Sequence, residues 1–159
     1  IEDETLYLPL SITNLTGHRF PSGTPFSREA WVELKVLSED GQVIFEKGVL
    51  DTPSEELDYE DPDLILYTVT LYDEENLEGN IIYEASNALS YDDRTLRTLF
   101  HDEKIYEIDI DNIQGQLTIE ARMLFRAFKP QILAEFHPSS MVHIPIIQMY
   151  SDTLLVIVP

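Results

Sequence analysis

The side chains that could do chemistry are unevenly supplied: 4 histidines, 30 acids and no cysteine. The histidines are His18, His101, His137 and His143, and no two share the H-x-H, H-x-x-x-H or H-E-x-x-H spacing that builds a self-contained metal site. His101, His137 and His143 read as scattered loop or surface residues. The missing cysteine excludes disulfides, thiolate zinc sites, a cysteine nucleophile and covalent c-type haem attachment on this chain. Neither a G-x-S-x-G elbow nor an S-x-x-K pair is present, so no activated serine is visible.

The acids raise two further chemistries. Calcium takes six to eight oxygens, often from carboxylates on one turn. Candidate runs are Asp58-Tyr-Glu60-Asp61 with Asp63, Asp73-Glu-Glu75, and Asp109-x-Asp111-Asn112. The last, with Asp109 and Asp111 as candidate ligands, begins like a calcium loop, but Gly115 and the missing closing Glu do not fit one. Paired carboxylates could also serve a glycoside hydrolase. Among 30 acids some pair will always suggest itself, so abundance alone carries no enzyme assignment, and a non-enzymatic role is expected.

One loop stands apart. Asn14-Leu-Thr-Gly-His-Arg-Phe-Pro-Ser-Gly23 joins two strand patterns and contains two glycines and a proline. It places His18 directly after Gly17, on what reads as a tight, crowded turn. An imidazole on a rigid loop can ligate a metal centre supplied from elsewhere, or it can hydrogen-bond the loop itself. Asn14-Leu15-Thr16 is also a glycosylation sequon, a short pattern that often occurs by chance.

The elements flanking this loop are strands. Thr5–Asn14 alternates, with Leu6, Leu8, Leu10 and Ile12 on one face, and Pro9 assigns it to a sheet edge. Residues 30–37 alternate again through Ala30, Val32, Leu34 and Val36. A turn at Glu39-Asp40-Gly41 returns the chain through 42–47 as a hairpin. Residues 48–93 contain 14 acids and no Lys or Arg. They read as a long, insertion-like acidic excursion punctuated by Pro53 and Pro62, with strand-like runs at 64–72 and 81–84. Residues 94–101 fit a short helix or a loop. Strands follow at 104–110 and 116–128, then a short helix at 130–136 with Pro at its first turn. Residues 144–158 read as one bulged strand or a pair, broken near Ser151-Asp152. The expected fold is all-β: an antiparallel β-sandwich, immunoglobulin- or fibronectin-like, with one short helix, forming one domain over 1–159.

Net charge is -20, a field that repels nucleic acid and anionic membrane surfaces. No apolar run reaches the length of a membrane-spanning helix. The chain opens on a strand-like segment without an initiator Met, so a processed chain or the end of a longer one is expected.

Three stretches together resemble a known family. They are the loop 14–23; Arg28-Glu-Ala-Trp31; and the hairpin ending Val43-Ile-Phe-Glu-Lys-Gly48. They are similar to the β-rich C-terminal region of multihaem c-type cytochromes, which often reads N-x-x-G-H-x-x-P-[ST]-G, then R-x-x-W, then D-x-x-G and V-[VI]-F-x-x-G. Here the turn is one residue shorter than that pattern. Further support comes from His101-Asp-Glu-Lys-Ile-Tyr-Glu107, from Gly115-Gln-Leu-Thr118, and from Leu124-Phe-Arg-Ala-Phe-Lys-Pro130 with Leu133 and Glu135. The resemblance covers most of the chain outside 50–95. The family's C-x-x-C-H haem-attachment repeats are absent.

The resemblance implies an extracytoplasmic, periplasmic or cell-surface module that supports electron transfer by shielding haem, supplying a ligand or mediating assembly. Its partner would be a haem-bearing cytochrome segment or subunit, with haem c held there. His18 would match the loop histidine and serve as a distal axial ligand. Arg28 and Trp31 would be structural, as an ion pair and a core aromatic. A homo-oligomer is left open. The rival reading is an extracellular binding or adhesion module stabilised by calcium.

Overall fold

The structure is a computed structural model that describes residues 1, 4–51, 55–136 and 143–159. Pro53 and His137, singled out above, lie outside the described residues.

The alternating segments become strands because each puts branched or aromatic residues on one face and polar ones on the other. β1 (Thr5–Thr13) pairs antiparallel with β8 (His101–Asp109) in a two-stranded layer. A five-stranded sheet lies against it. Its strands run β10 (Ile147–Val158), β9 (Gly115–Arg126), β2 (Glu29–Leu37), β3 (Val43–Lys47), and β4 (Leu66–Tyr67) also pairs with β2. Leu6 and Leu8 of β1 and Tyr106 and Ile108 of β8 meet Val32, Leu34 and Val36 of β2 and Leu117 and Ile119 of β9 in one core. The fold is thus the expected antiparallel sandwich. Pro9 sits on β1, a strand with one neighbour, where a missing N–H breaks no second ladder.

The hairpin forms as expected, with Gly41 at φ +82 in the turn. The helix α1 (Pro130–Phe136) has the anticipated bounds. The bulge in β10 falls between Gln148 and Tyr150 rather than at Ser151-Asp152. Residues 94–100 form no helix, and β8 starts at His101.

The acidic excursion is more integrated than its composition suggests. The run 64–72 splits at Thr68, whose hydroxyl donates to the Arg28 carbonyl at 2.8 Å. Before the split, β4 joins the main sheet. After it, β5 (Val69–Tyr72) joins β6 (Ile81–Ile82) and β7 (Ser90–Asp93) in a separate three-stranded sheet. Leu57 covers the outer face of the main sheet, packing with Trp31 and Leu124. Lys47 binds Asp61 (2.8 Å) and Lys104 binds Asp63 (2.8 Å), which ties the acids to both layers. β2 is therefore buried on both faces.

A buried ion pair lies beneath Trp31. Glu29 and Arg126, neither exposed at all, bond directly across the β2–β9 ladder. The Tyr59 hydroxyl donates to Glu29 at 3.0 Å, and the Arg126 guanidinium carbon lies 5.2 Å from the Trp31 ring centre. Burial, and then the Glu29 charge, push the Tyr59 phenol above its ordinary range.

Candidate functional site: the His18 loop and its groove

Asn14 ends the strand run and organises the loop. Its side chain is buried, and its amide donates to the carbonyls of His18 and Leu96, both at 2.9 Å. Its carbonyl oxygen accepts from the Thr16 N–H at 2.9 Å. The Thr16 hydroxyl stands 2.7 Å from both Asn14 Oδ1 and the His18 carbonyl, and its single proton serves one of them at a time. The sequon asparagine is thus committed inside the fold, and its nitrogen is unavailable for a glycan.

A second chain segment clamps the loop. Phe20 and Leu96 exchange backbone hydrogen bonds at 2.9 and 2.8 Å, and the Asn14 carbonyl accepts from the Leu99 N–H at 2.9 Å. Arg19 pairs with Asp93. Partial burial opposes the Asp93 charge, but hydrogen bonds from Thr95 and the Arg19 charge outweigh it and hold that carboxyl below its ordinary value. Pro21, after a cis peptide from Phe20, is fully buried.

His18 itself is exposed. No Cβ-sized obstacle lies within 4 Å of Gly17, so the turn is open rather than crowded. The strict glycine is Gly23, at φ +82, where an added Cβ would come within 2.7 Å of the Arg28 guanidinium. Arg28 donates to the Ser22 carbonyl and so anchors the loop through its backbone; among the described residues it makes no ion pair. Trp31 is the expected core aromatic, with its indole N–H donating to the Gly48 carbonyl at 3.0 Å.

The tautomer of His18 follows from its surroundings. Nδ1 lies 3.1 Å from the Arg19 carbonyl, which can only accept, and 3.4 Å from the Thr16 hydroxyl, so the shorter contact favours a proton on Nδ1. In the neutral ring the lone pair then sits on Nε2, which has no partner among the described residues. A backbone-held Nδ1–H with a free Nε2 is the arrangement by which histidines ligate metals. The other described histidines differ: His101 lies 3.9 Å from Glu103, and His143 Nδ1 lies 3.1 Å from Glu55.

The loop forms one end of an apolar groove of about 530 Å³. The groove opens because the β1–β8 layer is narrower than the sheet it covers. Leu10, Ile12 and Leu15 line one side, and Met123, Met149 and Tyr150 the other. The sequence pattern did not announce this groove, which depends on which strand lies at each layer's edge.

The calcium candidates stay separate. Asp109 accepts from the Asp111 N–H at 2.9 Å, an Asx turn that closes β8. Among the described residues, no group of three or more carboxylates or imidazoles is gathered to hold a metal ion.

No family model matches the chain, and no curated protein sequence matches it. A solved structure does. The fold is similar to that of a penta-heme cytochrome c552 from Thermochromatium tepidum, with a TM-score of 0.74 and 19% identity over 98% of this chain. The chain spans 37% of that cytochrome's length. At this identity the likeness is one of fold.

Proposed function

We propose that this domain is a non-catalytic β-sandwich module or subunit of an extracytoplasmic multihaem c-type cytochrome, and that His18 supplies a distal axial ligand to a haem held by another segment. The fold likeness over nearly the whole chain supports the cytochrome association. The unpartnered Nε2 of His18 supports the ligand role and carries the reading. A covalently attached haem needs cysteines that this chain lacks, so the segment that carries the haem would supply its thioether bonds. When bound, the haem supplies the one-electron chemistry.

This chain's own residues do the rest. The Arg19 carbonyl holds the proton on Nδ1 and fixes the ring's orientation. Asn14 and the Phe20–Leu96 bridge hold the loop backbone, so little ordering entropy remains to be lost on ligation. Leu15, exposed beside the loop, offers apolar surface to exclude water from a haem edge. The surplus of acids would steer a basic redox partner.

The test uses a haem c peptide that keeps one open axial position. Titrating in the chain should convert its ferric spectrum to the low-spin, bis-nitrogen form, with free imidazole competing and His18→Ala failing to convert it. Equal conversion by wild type and His18→Ala would remove the ligand role.

A further inference from the structure

The edge strand β10 holds an observation that the haem reading does not use. It has 12 residues and ends the main sheet, with β9 as its neighbour on one side and no described strand on the other. Proteins usually guard such edges with charges, prolines or short length, because open N–H and C=O groups recruit other strands. The opposite edge follows that rule: β3 has 5 residues and includes Glu46 and Lys47. β10 does not. Asp152 is its single charged residue in a chain of net charge -20.

β10 exposes apolar side chains on both faces, towards its two ends, with the exposed polar residues Ser151, Asp152 and Thr153 between them. In the antiparallel register, Leu154 lies opposite Ile119 and points to the inner face, while Leu155 lies opposite Thr118 and points outward. Ile147, Met149, Tyr150, Leu154, Leu155 and Ile157 are each exposed by between 51% and 67%. At on the order of 100 Å² of apolar surface each, they present several hundred Å² per copy; pairing along the edge covers the part beside the seam, below the roughly 800 Å² per partner of a standard interface and in keeping with weak association. A 12-residue strand with apolar side chains exposed on both faces, one charge and a free ladder is poorly guarded for a sheet edge.

We infer that β10 pairs antiparallel with β10 of a second copy about a two-fold axis, joining the two main sheets into one continuous sheet. A second copy is the occupant that this surface fits. The strip carries no cluster of charge for a basic partner to read, so its recognition elements are backbone and apolar side chains. A two-fold antiparallel pairing satisfies both edges at once and presents each apolar face to its equal. Repulsion between two acidic bodies is least where charge is absent, so the charge pattern itself selects this strip over the rest of the surface. The dimer should therefore tighten as salt rises and screens the remaining acids.

Sedimentation velocity on the 1–159 chain tests this. The expected result is a monomer–dimer equilibrium at micromolar concentration that shifts towards dimer at higher salt. Leu155→Lys with Ile157→Lys should weaken it by about a hundredfold or more. Both side chains are exposed, so the thermal midpoint of the variant should match wild type. The chain has no cysteine, so single Ser151→Cys, Thr153→Cys and Leu155→Cys variants report the axis: inter-copy disulfide yield should peak at one position and fall away from it. A chain that stays monomeric throughout, a dimer indifferent to the lysines, a flat cysteine profile or open-ended larger species would each overturn the proposal. None of these variants touches the His18 loop, so the result stands apart from the haem test.

Discussion

The amide of Asn14 donates to the carbonyl of His18 at 2.9 Å, while the neighbouring ring reaches the Arg19 carbonyl through Nδ1 at 3.1 Å. One buried residue thus fixes the backbone beneath an exposed imidazole. Replacing Asn14 with Ala leaves the His18 and Leu96 carbonyls and the Thr16 N–H without this partner. The expected loss is about 2–3 kcal/mol in urea unfolding, with faster amide exchange confined to residues 14–20. An exchange pattern unchanged across that loop would show that Asn14 does not organise it.

The two loop glycines should behave oppositely. Gly23→Ala forces a side chain into φ +82 against Arg28 and should cost about 1–3 kcal/mol. Gly17→Ala meets open space and should be near neutral. Thermal denaturation of the two variants side by side decides this, and equal costs would contradict the loop geometry.

Glu29 and Arg126 are coupled in the core. Removing Glu29 alone strands a buried guanidinium, so Glu29→Ala should cost about 3–5 kcal/mol. The double variant Glu29→Leu, Arg126→Met should recover much of that loss. A double-mutant cycle in urea measures the coupling, and strictly additive losses would contradict a direct buried pair.

Lys129 sets a pH dependence. It is buried, with its ammonium donating to the Val69 carbonyl at 3.0 Å, and burial pulls its pKa down to about 8. Between that value and the ordinary lysine value of about 10.4, the unfolded chain binds more protons than the folded one, so stability rises with pH. Across about pH 8 to 10 the gain should be on the order of 2 kcal/mol. Above that window the tyrosines act in the other direction: burial has pushed Tyr106 up to about 12, so it favours the folded state less as pH climbs. Lys129→Met should flatten the rise between about pH 8 and 10. An equal rise in the variant would assign it to another group.

Much of the fold was legible because period-two alternation is a local signal. Leu6, Leu8 and Val32, Leu34, Val36 mark core faces without reference to anything distant. The helix at Pro130 was legible from a different local signal, the proline at its first turn. The division of 64–72 at Thr68 was not, because it depends on the Arg28 carbonyl 40 residues away. β7 was missed because Ser-Tyr-Asp-Asp lacks strand-forming bulk and is held by pairing with β5. The motif around His18 singled it out as a candidate, but its tautomer was not legible, since that rests on contacts to the Arg19 carbonyl and the Thr16 hydroxyl. The Glu29–Arg126 pair was hidden because a charged residue at a strand start reads as solvated until the Trp31 face is known to be covered.

The central claim is that His18 ligates a haem carried by another segment. The direct measurement is the spectrum and midpoint potential of the chain assembled with its haem-bearing partner, in wild type and His18→Ala. The account predicts that one haem moves from a low-spin bis-histidine state to a high-spin state in the variant, with a shifted potential and a folded domain by circular dichroism. An unchanged spectrum with an unchanged potential would contradict it.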